Sequence, residues 1–332
     1  MKNEIYSLQV VRGIAALLVV TNHLWGRVFG GVFQYNGGLG VDVFFVLSGF
    51  LMVYTQTEKR NAFMFIRGRI ERIYPLYWIL SLPTMLMLIN FNEGYKVISN
   101  LFLIPSYKVT QGALTNPPAW TLVYEMIFYV MFTFSLLLSK NRIKACLISV
   151  SIIFVSLFIM NNVFGGQERG NWINIGYILS DTLMLNFAFG AIFALIYEKI
   201  GIKNVINFNL FMFLFGLVLY VSLFHMDGVR RLLRYGIPSL IIIIFALYSK
   251  EGKGFVYNML LKIGDASYSI YLSHIYFLYV LKATMSTNKG NPTMVELIAV
   301  LLVVLSIIVG IFINKKIEKP IMYKLKEYRL GG

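Results

Sequence analysis

The sequence predicts an all-α fold, a polytopic transmembrane helical bundle of about ten spans with both termini cytoplasmic. Three observations carry that expectation. Of the 332 residues, 58% are hydrophobic and only 14% charged, whereas a soluble domain has about 25% charged residues, and the mean hydropathy is +0.71. The apolar residues gather into segments of roughly 20, the length that crosses a bilayer as a helix. Lysine and arginine are unevenly divided between alternate connections, as membrane orientation requires.

The spans are expected over 6–25, 39–56, 74–91, 120–139, 143–164, 175–197, 210–224, 235–248, 267–285 and 294–314. The first follows Lys2 and could pass for a signal peptide. Its apolar run is long, contains Arg12 and precedes no small-residue cleavage site, so it reads as retained. Arg12 and His23 are eleven positions apart, which at about 100° per residue returns to within ~20° of one face, with a rise of roughly 16 Å between them. Such a pair either lines a protein interior or wet cavity, or snorkels, with Arg12 reaching the headgroups and His23 capping the other end.

In the second segment, "GGLGVDVFFVLSGFLMVYT", Asp42 stands at the outer end, level with His23. It either orients the imidazole as the third member of a triad does, or is an acid favoured by a helix N-terminus. Ser48 and Gly49 read as small residues for close helix packing. The third is preceded by "FIRGRIERIYPLYW". Arg67, Arg69 and Arg72 exceed what orientation alone needs, and the planar guanidinium fork suits phosphate oxygens; a generic positive-inside cluster is the other reading. Glu71 is their expected ion-pair partner, and Pro75 is placed near the helix start.

The fourth segment opens in "NPPAWTLVYEMIFYV", with Trp120 at the interface and Glu125 about one and a half turns in, where an acid is costly unless paired or used. The fifth holds Cys146, the single cysteine, which excludes an intrachain disulfide and a cysteine metal cluster. His225 closes the seventh as an interfacial residue with no assigned role, and the eighth is short. The ninth, "GDASYSIYLSHIYFLYV", brings Ser267, Tyr268, Tyr271 and His274. Ser267, Tyr271 and His274 share one face at i, i+4 and i+7, which suits either hydrogen-bonded packing or substrate binding.

The net charge of +15 could suggest nucleic acid, but its distribution argues against that partner. With the N-terminus inside, twenty lysines and arginines fall on cytoplasmic connections and nine outside, with Arg12 embedded. Arg230, Arg231 and Arg234, in one outer connection, dissent. No soluble domain, linker or low-complexity tail interrupts the chain, so residues 1–332 read as one membrane domain; the longest outer connection, 92–119, carries Pro105, Pro117 and Pro118. No internal repeat is visible, which weakens an analogy to transporters built on inverted halves. Phosphate-binding loops, dinucleotide fingerprints, HExxH and GxSxG are absent, and no metal is implied.

Taken in order, "RGIAALLVVTNH", "GVDVFFVLSGF", "RIERIYPLYW", "WTLVYE", "GDASYSIYLSH" and the closing "EKP" at Glu318 to Pro320 resemble the bacterial membrane acyltransferase-3 family, O-acyltransferases of surface polysaccharides, lipopolysaccharide, peptidoglycan and some small molecules. The resemblance implies a ten-helix domain in the bacterial cytoplasmic membrane that uses acyl-coenzyme A, acetyl-coenzyme A in the first instance, as donor. His23 matches the family's proposed catalytic histidine and Arg12 its companion arginine. Arg69 and Arg72 match its RxxR pair, linked to donor handling, and Glu125 the acid after its WxL motif. Fused members append a hydrolase-like domain; this chain reads as a stand-alone member.

Residues and resemblance together lead to an acyl transfer in which His23, Glu125 and Asp42 form the catalytic group. Asp42 or Glu125 would set the His23 tautomer, and a covalent acyl-histidine is a second route. Arg67, Arg69, Arg72 and Arg12 would serve the donor, Arg12 by lining the channel for its pantetheine arm. Trp120, Tyr268, Tyr271 and His274 would line the substrate path. The expected partners are acyl-coenzyme A, a glycan or lipid-linked sugar acceptor, and membrane lipids. The rival reading is a transporter or flippase of a lipid-linked glycan, which would also need embedded charges along a path.

Overall fold

A computed structural model describes residues 5–57, 61–88, 93–106, 114–165, 173–201, 205–224, 228–287 and 291–330. Lys2, Lys59, Arg60, Lys108, Arg169, Lys203, Lys289, His225 and the end of the third expected span at 91 lie outside the described residues. Among the described residues there is no strand, and the fold is all-helical. Among the described residues, five stretches are long and apolar enough to cross a membrane: Tyr6–Leu24, Phe33–Tyr54, Pro117–Leu138, Arg142–Asn162 and Pro292–Tyr328. Phe208–Phe224 and Leu232–Tyr248 are apolar but shorter. Leu297 and Phe158, on two of the long stretches, are 69% and 66% exposed, while serines, asparagines and a histidine are buried. That arrangement suits hydrocarbon surroundings, where polar groups must be satisfied inside the protein.

The chain divides into two compact units, Met1–Phe44 with Ile202–Gly332, and Phe45–Gly201. The first contains α1 (Tyr6–Leu24), the opening of α2 (Val32–Tyr54), and, from the C-terminal part, α9 (Phe208–Phe224), α10 (Ile237–Tyr248), α11 (Phe255–Asp265), α12 (Ser267–Thr287), α13 (Pro292–Ile313) and α14 (Lys319–Leu330). Helix α1 is its axis, packing on α10, α11, α12 and α13. Gly13 and Gly264 let α1 and α11 touch backbone to backbone: a Cβ on Gly13 would lie 2.6 Å from the Leu260 carbonyl oxygen, and one on Gly264 would run into that of Gln9. Val20, Leu24, Ile263, Ile270, Ile275 and Leu302 close the core around this axis. Gly30 and Gly31, both at positive φ, turn the chain from α1 into α2.

The second unit holds the rest of α2 with α3 (Ala62–Leu88), α4 (Gly94–Phe102), α5 (Trp120–Leu138), α6 (Arg142–Asn162), α7 (Ile175–Ser180) and α8 (Met184–Ile200). Gly49 and Gly190 make a second close crossing, between α2 and α8, where a Cβ on either would strike a carbonyl of the other helix. Gly49 therefore has the packing role its size suggested. Phe128 of α5 stacks on Phe187 of α8.

Three expectations change. The third span is part of a longer helix: Asn61 caps α3, its Oδ1 accepting from Met64 N at 2.8 Å, so the arginine cluster is helical and Pro75 lies inside the helix instead of at its start. The sixth breaks into α7 and α8 at Asp181, whose Oδ1 accepts from Leu183 N at 3.0 Å while Tyr124 donates to Oδ2 at 2.9 Å. A carboxylate competing for backbone donors ends α7 there. The connection read as 92–119 contains α4 and a 3₁₀ turn at Pro117–Ala119. The last carbonyls of α4 accept from α3 side chains: Phe102 from Tyr74, Leu101 from Trp78 and Asn100 from Tyr77, at 2.6 to 2.7 Å. These are helix-end acceptors that hydrocarbon could not satisfy.

Candidate active site

In the first unit the last turn of α1 carries His23. That turn is fixed on several sides by bonds that a membrane helix cannot make to lipid. Asn22 donates through Nδ2 to the carbonyls of Phe33 and Gln34 at 3.1 and 2.5 Å, Asn36 donates to Thr21 Oγ1 at 3.0 Å, and Trp25 Nε1 donates to the Ala299 carbonyl at 3.1 Å. Gly37 makes room for Asn22, since a Cβ there would lie 2.5 Å from the amide oxygen.

His23 meets His274 of α12. Nδ1 of His23 is 2.8 Å from Nε2 of His274, and the rings stack with centroids 5.0 Å apart and planes 8° from parallel. Nδ1 of His274 is in turn 2.6 Å from the Tyr271 carbonyl oxygen. A carbonyl only accepts, so His274 carries its hydrogen on Nδ1, and in the neutral ring Nε2 is an acceptor. His23 must then donate from Nδ1, which leaves its lone pair on Nε2. His274 is fully buried and His23 half-buried. The pair can remove a proton at one defined atom, His23 Nε2, with the hydrogen placement set by a backbone carbonyl.

Asp42 is elsewhere occupied: its Oδ2 accepts from Arg231 Nη2 at 2.6 Å. His23 takes His274, not Asp42, as its ring partner. Arg231 was legible in the sequence only as a cation on the wrong side. Arg12, half-buried, donates through Nη1 to Gln9 Oε1 at 3.0 Å. Of the α12 stripe, Ser267, Tyr271 and His274 are buried and Tyr268 is half-buried. Tyr271 also packs edge-on to Phe44, with centroids 6.2 Å apart. Glu318 of the closing "EKP" accepts from Ser269 at 2.6 Å and from Asn314 at 2.9 Å, tying the start of α12 to the π-helical turn Asn314–Glu318.

The second unit gathers Glu125, Arg69 and their neighbours. Glu125 Oε1 accepts from Ser48 Oγ at 2.8 Å and from the Tyr129 hydroxyl. The Tyr129 ring lies under the Arg69 guanidinium, 5.2 Å from Cζ to centroid, and Phe65 holds the same group at 5.1 Å. Arg69 Nη2 reaches Thr55 Oγ1 at 3.5 Å, and its Nε is buried with no hydrogen-bond partner among the described residues. Ser48 thus has a hydrogen-bonding role beyond its small size. Arg67 is committed to Glu71 at 2.7 Å, and Arg72 is exposed. Trp120 packs against Phe45 and Tyr124, with centroids 6.4 and 5.4 Å away. Tyr129 and Phe65 each stand four residues from Glu125 or Arg69, a one-turn spacing that could have revealed them.

The acyltransferase domain family matches residues 5–314. The exopolysaccharide production protein ExoZ of Rhizobium meliloti is 28% identical over 318 residues, covering 89% of this chain and 92% of that protein. An O-acetyl transferase of Shigella phage Sf6 is 28% identical over 217 residues, 58% of this chain and 63% of its own length. The O-acetyltransferase OatA of Staphylococcus aureus is 25% identical over 357 residues, 96% of this chain and 57% of its own length. The chain therefore spans less than two thirds of the last two. No solved structure matches. The chain belongs to the membrane acyltransferase-3 family and is an acyltransferase.

Proposed function

We propose that this family member moves an acyl group, acetyl in the first instance, from cytoplasmic acyl-coenzyme A to a hydroxyl of a surface polysaccharide or lipid-linked glycan. It does so as a single domain over 1–332 in the cytoplasmic membrane of a bacterium, with both termini cytoplasmic. The names of its relatives, exopolysaccharide production and O-acetyl transfer, support the acceptor class. The observation that carries the chemistry is the ordered pair His23–His274, which presents an unprotonated Nε2.

In this reading His23 Nε2 takes the proton of the attacking hydroxyl as its oxygen bonds to the thioester carbon. The carbon–sulfur bond breaks, and the same proton passes to the departing thiolate. General base work of this kind contributes about 10² to 10⁴ in rate. The donor is a polyanion, and Arg69 and Arg72 are the residues that would hold its phosphates. Aromatic rings fix the Arg69 guanidinium, its Nε has no partner among the described residues, and Arg72 is exposed. Arg67 contributes field more than contact, because Glu71 already engages it. In this reading Arg12 serves the pantetheine arm, and Tyr268 and Tyr271 in the first unit and Trp120 in the second serve the substrate. Glu125, held by Ser48 and Tyr129 beside Arg69, is the acid of the second unit in this reading, and Asp42 serves through Arg231.

The test is transfer of label from acetyl-labelled coenzyme A to an acceptor glycan in membranes containing wild type or His23→Ala at equal protein level. We expect a loss of about 10² or more. Transfer that survives the substitution would remove His23 as the base.

A further inference from the structure

Of the three arginines that dissent from the positive-inside pattern, Arg231 and Arg234 are held in place, and Arg230 stands exposed just before them. Arg234 is held by the end of α9, donating through Nε and Nη2 to the carbonyls of Ser222 and Leu223 at 3.2 and 3.3 Å, while Ser222 Oγ donates back to the Arg234 carbonyl at 2.5 Å. Its guanidinium stands 5.3 Å from the ring centres of both Tyr35 and Tyr235. Arg231 is pinned by Asp42. They stand in the π-helical turn Leu232–Gly236 and just before it. Such turns are rare and occur often at functional sites. Arg230 is exposed, and Tyr35 is 46% exposed.

This cluster is tied to the last turn of α1, the turn that carries His23. Tyr35 follows Gln34, whose carbonyl accepts from Asn22, the residue before His23. The Tyr235 ring presses on Gly38, where a Cβ would lie 2.7 Å away. Arg27, exposed, is one turn beyond His23. Arg27, Arg230, Arg231 and Arg234 lie on these segments with Asp42, which is bonded to Arg231, and Asp227 three residues before Arg230 in the sequence, so the segments keep a net positive charge beside a half-exposed aromatic ring. Fixed guanidinium groups select anionic oxygens, and a ring face suits the apolar face of a sugar.

We propose that Arg230, Arg234 and Tyr35 form the acceptor's docking site, and that the acceptor is an anionic glycan carrying carboxylate or phosphate groups. This rests on the reading above for which end of the protein meets the acceptor. Binding is read without acyl donor, so its failure is distinct from a failure of transfer.

The experiment uses the full chain in phosphatidylcholine nanodiscs, with three labelled probes: an oligouronate, a glycerol-phosphate oligomer and a neutral oligosaccharide. We expect at least one anionic probe to bind about tenfold more tightly than the neutral one and to weaken with salt. Arg230→Ala combined with Tyr35→Ala should erase the preference, and Arg230→Lys should keep part of it. Both positions are exposed, so an unchanged unfolding temperature separates lost binding from lost fold. Equal binding of all three probes, or a preference indifferent to these variants, overturns the proposal. So does loss of the preference in wild type when phosphatidylglycerol is added, which would assign the arginines to lipid headgroups.

Discussion

His23 and His274 share one hydrogen bond of 2.8 Å between parallel rings, and the Tyr271 carbonyl decides in which direction it is donated. A histidine pair stacked this way has no tautomeric freedom while both rings are neutral. The base is made by a neighbour whose own hydrogen is tied to the backbone.

His274 is consequently a positioning residue in the proposed reaction. His274→Leu should lower the transfer rate by roughly 10- to 100-fold while the protein stays folded, since His23 loses its fixed tautomer but keeps its ring. His274→Gln, whose amide oxygen can accept from His23 Nδ1, should recover part of the loss. Label transfer to the glycan reads both; a leucine variant as fast as wild type rules the relay out.

Asp42 and Arg231 act on stability. The Asp42 side chain is 1% exposed and that of Arg231 28%, so removing one partner strands a charge. Asp42→Ala should cost about 3–5 kcal/mol at most, seen as a lower unfolding temperature in detergent. The double substitution Asp42→Ala with Arg231→Leu should regain part of that temperature. If the double variant is no better than the single, the pair is not what holds the two segments together.

Arg69 and Arg72 should control affinity for the donor. Arg69→Ala with Arg72→Ala is expected to raise KM for acetyl-coenzyme A about tenfold or more. Tyr129→Phe keeps the ring under Arg69 and should leave that KM near wild type, whereas Tyr129→Leu should raise it. Indifference of KM to the double arginine variant would move the donor site elsewhere.

The glycines of the two crossings and Gly216 predict opposite outcomes at helical positions of similar appearance. Gly264→Val and Gly49→Val place a branched side chain against the carbonyls of Gln9 and Phe187, and neither protein should give a monodisperse peak in detergent. At Gly216 of α9 a Cβ meets nothing within 4 Å, so Gly216→Ala should be tolerated and gain about 0.5–1 kcal/mol. Chromatographic profiles and unfolding temperatures of the three decide this.

Much of this was legible in the chain itself. Helicity and apolar spans follow from composition, because only a closed hydrogen-bond ladder survives in hydrocarbon and the residue pattern offers no strand alternative. The same logic marked His23, Glu125 and the arginines, since ionisable groups in apolar segments need a partner or a task. One-turn spacing could have supplied Tyr129 and Phe65. Sequence reasoning failed at interruptions such as Asp181, where a single carboxylate outcompetes the helix for backbone donors, and at Pro75, which a continuous helix absorbed.

By itself, then, the sequence determined which segments are helical and which side chains are too polar to be idle there, because both are local consequences of transfer free energy. Which polar group meets which was decided only by tertiary packing. Asp42 went to Arg231 and His23 to His274 across 189 and 251 residues of chain. Pairings at such separations depend on where glycines let backbones touch, a geometric condition that no local pattern encodes.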